Sequence, residues 1–551
     1  MNTDTAIICP LCHDAVDKLV YRYHIEGEKQ VIERIKQHNP GWTITDGACS
    51  RCVDYYHTEI VMQQRILPEI GPYFPIKSAD DFIILPTGLR LNVNQRYTGK
   101  GITICFIDSG FYLHPDIKAH SNRIKKVFDI TNSDRSNDYF KQPNPDAWHG
   151  TMTSVVCAGD GYLSNGLYKG IAQDADLVLI KVQNDAGRIT TENIVKALEW
   201  VLQNHAEYNI RIVNISLGDD EAISYKRSEI DRLAELLIVE GITIIAAAGN
   251  DENGTIKPPA NSPNVITVGG IDDENRIQQL PAKLYHSSFG KTVDDLSKPE
   301  LMAHAIWIAA PTLPGTKEQV ESETLHRLLT LTDNLLLQEL ERCVEQTDLH
   351  HSIIDNKDAA SVREAIAHRI QLCKYISPHY MHVDGTSFAA PIVSSVVAQM
   401  LEANPGLTSA MIRETLFSTA KRIENLPAER QGFGVINPRR ALLRILKKHI
   451  IMQPKESPSI NGKQNTIEFY VQHDCASQIS LAGTFNHWAQ DVLLLEPGKN
   501  GLWKIEIPML PQGKYKYKFF VDDKDWIEDI NNPYREPDGF SGFNSILIVN
   551  N

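Results

Sequence analysis

The chain has 551 residues, a formal net charge of -14 and 42% apolar residues. That length exceeds what one core fills and predicts three or four domains at about 100–200 residues each. The acidic balance excludes general nucleic-acid binding, and no run of 18 or more apolar residues offers a membrane span.

The first residues, Met1-Asn2-Thr3-Asp4-Thr5, show no basic stretch followed by an apolar run and a small-residue cleavage site, so no secretory signal is expected. Nine cysteines, several in apparent core segments such as Cys105 and Cys157, suit reduced thiols better than a disulfide framework. The expected location is cytoplasmic.

Residues 1–66 read as a cysteine module. Cys9-Pro10-Leu11-Cys12 and Cys49-Ser50-Arg51-Cys52 form two knuckles separated by 36 residues. Four thiolates at this spacing can converge tetrahedrally on one structural zinc, leaving no open position for a reacting water. Either knuckle alone is also compatible with a redox pair or an incidental one, and His13 or His57 is near enough in sequence to replace a thiolate. Between the knuckles, Ile25 to His38 predicts a helix and Trp42-Thr43-Ile44-Thr45 a strand, as in a zinc ribbon or treble-clef element. Residues 67–88, which include the proline-rich Pro68 to Pro75, read as a linker or short pro-segment.

Residues 89–449 carry the chemistry. Gly101 to Asp108 reads as a buried parallel strand ending in an acid, and His149 opens the small, apolar helix Gly150 to Gly159. Further on, Gly385-Thr386-Ser387-Phe388-Ala389 precedes Ala390-Pro391. Alone, Gly-Thr-Ser is a common helix cap. With the two earlier segments it offers an acid, a base and a hydroxyl nucleophile in the order Asp, His, Ser, which is the order of the subtilisin triad. On these motifs the stretch from roughly Leu89 to Ile445 resembles the subtilases, the subtilisin-like serine protease family.

The resemblance assigns roles residue by residue. Ser387 would be the nucleophile, His149 its general base and later the acid for the leaving amine, and Asp108 the group that holds the imidazole. Asn250 resembles the oxyanion-hole asparagine, Ser216-Leu217-Gly218 the substrate-lining strand, and Ala247-Ala248-Gly249 a wall of the primary specificity pocket. Pro259-Ala260, Ser287 to Gly290 and Lys298-Pro299-Glu300 follow in the family's order. Family membership also implies calcium, on variable loops that no residues here match. Lys257 falls near the base of the primary pocket, where it would either favour an acidic P1 side chain or turn to solvent. In intracellular subtilisins a short N-terminal extension lies across the cleft, and the Pro68 to Pro75 segment is a candidate for the same place.

One departure is large. About 80 residues separate Ala303 from Gly385 where the family needs a few tens. Val320, Leu325, Leu328, Leu329, Leu335, Leu336 and Leu340 recur at helical steps, as do Val362, Ala365, Ile366, Ile370 and Cys373. The pattern predicts an inserted helical hairpin over about 305–380, either a packed decoration or an element controlling access.

Residues 450–464 read as a linker: two prolines, two serines and an Asn-Gly pair without periodicity. Residues 465–551 alternate apolar and polar residues in short strands, the pattern of a small β-sandwich. Gly483 to Trp488, Tyr517 to Asp522, Trp526 and Asn544 resemble the glycogen-binding modules of AMP-activated kinase β-subunits and isoamylase N-termini. That resemblance implies Trp488 and Trp526 stacking on glucose rings, with Lys518 and Asn544 bonding hydroxyls. The rival reading is a protein contact, and Phe540 and Gly542 depart from the module's usual aliphatic and hydroxyl residues.

The expected fold class is therefore α/β: a subtilisin-like doubly wound parallel sheet flanked by helices, a small N-terminal zinc-ribbon-like module and a C-terminal immunoglobulin-like β-sandwich. The expected function is an intracellular serine endopeptidase acting on protein or peptide substrates, with no nucleic-acid or membrane partner and with glycogen, another α-glucan or a protein partner at the sandwich. The alternative is a catalytically silent protease-fold scaffold binding glucan or protein.

Overall fold

The structure, a computed structural model, describes residues 7–16, 19, 29–63, 84–119, 122–276, 282–350, 353, 358–447, 457–473, 476–498, 501–540 and 542–550. The proline-rich segment Pro68 to Pro75 and the first residues of the helix expected from Ile25 lie outside the described residues.

Seven parallel strands form the central sheet: β1 (Thr103–Asp108), β2 (Ile124–Asp129), β3 (Asp176–Lys181), β4 (Ile210–Ile215), β5 (Thr243–Ala247), β6 (Ile266–Asp272) and β7 (Leu301–His304), in the order β2-β3-β1-β4-β5-β6-β7. A short strand, Lys283–Leu284, pairs antiparallel with β6. All six residues of β1 are buried, as expected of a strand covered on both faces. Alternation divides them: Ile104 and Phe106 face the core that holds the helix Thr386–Ala403, while Cys105 and Ile107 face the helices Thr191–Tyr208 and Glu229–Val239. The strand order reverses at β1, between β3 and β4, so the crevice that open α/β sheets use for ligands falls at the carboxyl end of β1.

Among the described residues the insertion has three α-helices, not the expected hairpin. Lys317–Leu329, Asp333–Cys343 and Ala359–Leu372 pack a core of their own around Leu325, Leu328, Leu336, Leu340, Val362 and Ile366. Leu335 is half exposed, because the leucine repeat crosses a break at Thr330 to Thr332 and changes face there. The insertion stands on an antiparallel sheet of Ile308–Pro311, Tyr380–Val383 and Tyr375–Ser377, whose middle strand runs directly into Gly385.

In the N-terminal module the first cysteine pair sits in the hairpin Ile7–Ile8/Ala15–Val16, and the second opens the helix Ser50–Gln63. The expected strand Trp42 to Thr45 is absent. Asp46 accepts the Thr43 amide at 2.7 Å, which turns the chain into the 3-10 segment Ile44–Asp46. The module docks on the central unit: the helix Ser50–Gln63 packs on Pro438–Leu446, Asp54 pairs with Arg96 at 2.8 Å and accepts the Tyr97 hydroxyl, and Asn94 donates to Thr58 at 3.1 Å.

The C-terminal sandwich stacks two antiparallel sheets around Ile467, Phe469, Leu481, Trp503, Tyr517, Phe519 and Leu547. It begins inside the expected linker. Ser459–Asn461 pairs with Thr466–Gln472, and the Ser457 hydroxyl donates to the buried Asp529 carboxylate at 2.6 Å. Arg535 seats the sandwich on the central unit. Its guanidinium lies between Phe433 and Phe543, 4.2 and 4.3 Å from the ring centroids, and its carbonyl accepts from Ser297 at 2.9 Å and Lys291 at 2.7 Å.

Candidate active site

Asp108 ends β1 with its side chain 1% exposed, and its carboxylate is fully engaged. Oδ1 accepts from the Ser109 amide at 2.7 Å and lies 2.6 Å from His149 Nδ1, while Oδ2 accepts from Thr153 Oγ1 at 3.1 Å. Thr153 lies one helical turn after His149 on Trp148–Ala158, so one helix face supplies both partners. Gly150 permits that approach: a Cβ there would stand 2.3 Å from the Gly110 carbonyl oxygen and 3.0 Å from Asp108 Cβ. Burial disfavours a charged imidazole, but the Asp108 carboxylate and its hydrogen bond outweigh that, leaving the His149 pKa raised above its ordinary value.

Ser387 lies in the first turn of Thr386–Ala403, after Gly385 at φ 137, a conformation that side chains rarely adopt. Pro391 is inside this helix and has no N–H to offer the Ser387 carbonyl one turn back. That carbonyl instead accepts the Ser216 hydroxyl at 2.9 Å, which ties the helix to the segment after β4. The tie continues inward, as Asn214 donates to Ser216 Oγ at 3.0 Å and Ser394 donates to Asn214 at 2.9 Å. The Ser387 hydroxyl donates to the Ser216 carbonyl at 3.2 Å, so the Ser387–His149 hydrogen bond is not made in this structure. The His149 ring centroid lies 6.0 Å from that of Phe388, the residue after Ser387.

Asn250 follows β5. Its Oδ1 accepts the Thr386 amide at 2.8 Å and the Thr386 hydroxyl at 2.9 Å, so the amide orientation is fixed and Nδ2 remains as a donor at the same helix start. A cavity of about 340 Å³ opens beside these groups, lined by Ser216, Leu217 and Gly218 on one side, Ala247, Ala248, Gly249 and Asn250 on another, and Ser387 at its edge. Lys257 also lines it, but its ammonium donates to the Asp220 carbonyl at 2.7 Å, and Asp219 and Asp251 line the same cavity. Beyond the exposed Trp148, next to His149, a second cavity of about 580 Å³ lies between Met152 and the base of the insertion at Thr312 to Glu318.

The sequence profile described as "Subtilase family" matches residues 99–434, more than half of the chain. The chain belongs to the subtilase family. A second profile, "Glycogen recognition site of AMP-activated protein kinase", matches residues 467–551. Among similar subtilases, Serine protease AprX of Bacillus subtilis (strain 168) is 28% identical over 352 residues, covering 62% of this chain and 66% of the relative. Subtilisin NAT of Bacillus subtilis subsp. natto is 25% identical over 351 residues, with the same two coverages. The crystal structure of fervidolysin from Fervidobacterium pennivorans superposes with a TM-score of 0.44 at 17% identity, covering 79% of this chain and 55% of that one. This subtilase chain spans just under two thirds of the length of its first curated relative and 42% of the next.

Away from the cleft, Cys9, Cys12, Cys49 and Cys52 are all buried, and their four sulfurs lie within 4.8 Å of one another. Cys9 to Cys52 measures 3.9 Å and Cys12 to Cys49 3.8 Å. A tetrahedron with metal–sulfur bonds of about 2.3 Å has edges of about 3.8 Å, so the set fits a metal ion. The Cys49 amide points at Cys9 Sγ at 3.3 Å, as suits a thiolate. His13 and His57 are exposed and outside this cluster, which among the described residues is the one group of three or more His, Cys, Asp or Glu able to hold a metal.

In the sandwich, Trp488 and Trp526 meet edge to face, 5.9 Å between centroids at 73°, in a cleft of about 530 Å³ that Lys518 and Asn544 also line. Lys518 is ion-paired with Asp538. Sequence reasoning missed three roles: Thr153 and Thr386 stand inside the expected motifs but were given none, the first legible from helical spacing after His149 and the second's grip on Asn250 needing the tertiary fold, while Arg422, which reaches the sandwich cleft from the subtilase unit, lies in no expected motif.

Proposed function

We propose that this chain is a serine endopeptidase that hydrolyses protein or peptide substrates through an acyl-enzyme. The observation that carries the proposal is the buried Asp108 carboxylate 2.6 Å from His149 Nδ1, together with a helix that carries Ser387 in its first turn and fixes the Asn250 amide through Thr386. Ser387 Oγ attacks the scissile carbonyl, its proton passes to His149 Nε2, and the resulting imidazolium gives that proton to the leaving amine. Water then repeats the sequence on the acyl-enzyme. Asn250 Nδ2 and the Ser387 N–H meet the oxyanion. An extended substrate pairing with Ser216-Leu217-Gly218 would compete for the Ser216 carbonyl and release the Ser387 hydroxyl toward His149. The names of the relatives, serine protease and subtilisin, support the same reading.

A fluorophosphonate probe tests it. Covalent labelling of the wild-type chain at Ser387, absent from Ser387→Ala and strongly reduced in His149→Ala, is the expected result. An unlabelled wild type points to the scaffold alternative instead.

The accessory units receive their own assignments. The four cysteines hold a structural zinc, supported by sulfur separations that match its tetrahedron. The sandwich binds an α-glucan such as glycogen, supported by the two indoles framing its cleft and by the matching profile. A cytoplasmic location is supported by the eight cysteines among the described residues, none of which forms a disulfide, the buried Cys105, Cys157 and Cys343 included. Among the described residues no helix is long and apolar enough to cross a membrane.

A further inference from the structure

The sandwich cleft is not lined by the sandwich alone. Arg422, from the subtilase unit, shares it with Trp488, Trp526, Lys518 and Asn544. Its guanidinium is held on two sides: Nε donates to the Gly432 carbonyl at 3.1 Å, and Nη2 pairs with Glu528 of the sandwich. Phe433 and Phe543 flank it, 6.0 and 5.6 Å away at their centroids. These contacts leave Nη1 on the side of Gly542, where a Cβ would lie 3.5 Å from it. The same Cβ would stand 2.7 Å from Asp538 Oδ2, so glycine at position 542 leaves the carboxylate and the guanidinium from the other unit side by side at the cleft wall.

Meanwhile the cleft's own cation is engaged. Lys518 is paired with Asp538, whose other oxygen accepts the Phe540 amide at 2.7 Å and the Gly542 amide at 3.1 Å. A sugar hydroxyl entering the cleft beside the indoles meets Arg422 Nη1, the Asn544 amide and the remaining Lys518 N–H groups as donors.

We infer that the glucan site is composite: Arg422 donates to a glucose hydroxyl, so that a bound α-glucan bridges the subtilase unit and the sandwich. This rests on the reading that the cleft binds α-glucan. The occupant is a short α-1,4-glucan, since the indoles are nearly perpendicular and offer no flat track for an extended chain. Gly432 and Arg430 continue the contact inward, Arg430 pairing with Glu252 at 3.2 Å beside the pocket-lining Asp251.

The test is calorimetric titration of maltoheptaose into the full chain carrying Ser387→Ala, which prevents self-cleavage. Trp526→Ala should abolish binding, and Arg422→Met should weaken it about tenfold, the scale of one charged hydrogen bond at a partly exposed site. If Trp526→Ala binds as the parent does, the glucan reading itself fails. If Trp526→Ala loses binding while Arg422→Met keeps it, the glucan reading stands and the composite site is overturned. Because Arg422 also holds Glu528, a measurement without substitution at 422 accompanies the titration. Maltoheptaose should shield Arg422 from phenylglyoxal while leaving the exposed Arg342 reactive. Equal modification of Arg422 with and without the sugar overturns the inference.

Discussion

Nδ1 of His149 and Oδ1 of Asp108 are 2.6 Å apart, and this pair governs how the site answers to pH. Catalysis needs the imidazole neutral, and Asp108 raises its pKa against the opposing effect of burial. The kcat/KM profile should therefore rise with pH, with an inflection above the ordinary imidazole value of about 6.5. Asp108→Asn should move the inflection down and lower kcat about 10⁴-fold. An unchanged inflection in that variant would contradict the assignment. Stability has the opposite sign: because the folded-state pKa is raised, the pair stabilises the fold below the unfolded imidazole pKa, and the contribution fades as pH rises through the folded value.

Removing the Asn250 amide isolates the oxyanion contribution. Asn250→Leu should lower kcat roughly 100- to 1000-fold with KM nearly unchanged, because the contact exists in the transition state alone. Steady-state kinetics on a peptide substrate decide it, and a loss confined to KM would move Asn250 out of that role. Thr386→Val, which leaves the amide without one of its anchors, should show a smaller loss of the same kind.

Metal content separates structure from catalysis. Elemental analysis should find one zinc per chain, lost in Cys49→Ser. Stripping it should unfold the cysteine module and lower the melting temperature, as structural zinc sites contribute folding free energy. The module docks through Asp54, Tyr55 and Thr58 onto Tyr97, Arg96 and the helix Pro438–Leu446, not onto the cleft. Accordingly kcat/KM below the transition should change by less than about twofold.

Lys257 should not confer acidic selectivity. Its ammonium is held on the Asp220 carbonyl, and two acidic residues, Asp219 and Asp251, line the same pocket. In a peptide library, cleavage after Asp or Glu should not exceed cleavage after apolar residues, and Lys257→Ala should shift relative rates by no more than about fivefold, the scale of an exposed charge. A strong acidic P1 preference abolished by that substitution would reverse this view.

Much of the site was legible because it lies at the ends of regular elements. The apolar run closing on Asp108, the small-residue helix behind His149 and the turn before Ser387 are each written in consecutive residues. Errors arose where local pattern and tertiary setting part. Trp42 to Thr45 has strand-favouring residues, yet one carboxylate, Asp46, captures the Thr43 amide and closes a turn. Ser457 and Pro458 read as linker, although the Ser457 hydroxyl anchors Asp529 and the strand after it belongs to the sandwich. The leucine repeat runs through Thr330 to Thr332 without a Gly or Pro to mark the break between two helices. Arg422 left no local trace, since its partners Gly432, Glu528 and Phe543 meet it only through the packing of two units.

The bare α-carbon at position 150 makes the acid and the base depend on one another's spacing to within the radius of an atom. Adding a single methyl there pushes the helix off the Gly110 carbonyl, and a displacement of about 1 Å in a reacting group can cost roughly a hundredfold in rate. Gly150→Ala is thus the smallest lesion expected to silence this subtilase while leaving every reacting atom in place, and it marks where drift toward an inactive relative would first go unnoticed by anyone inspecting the triad alone.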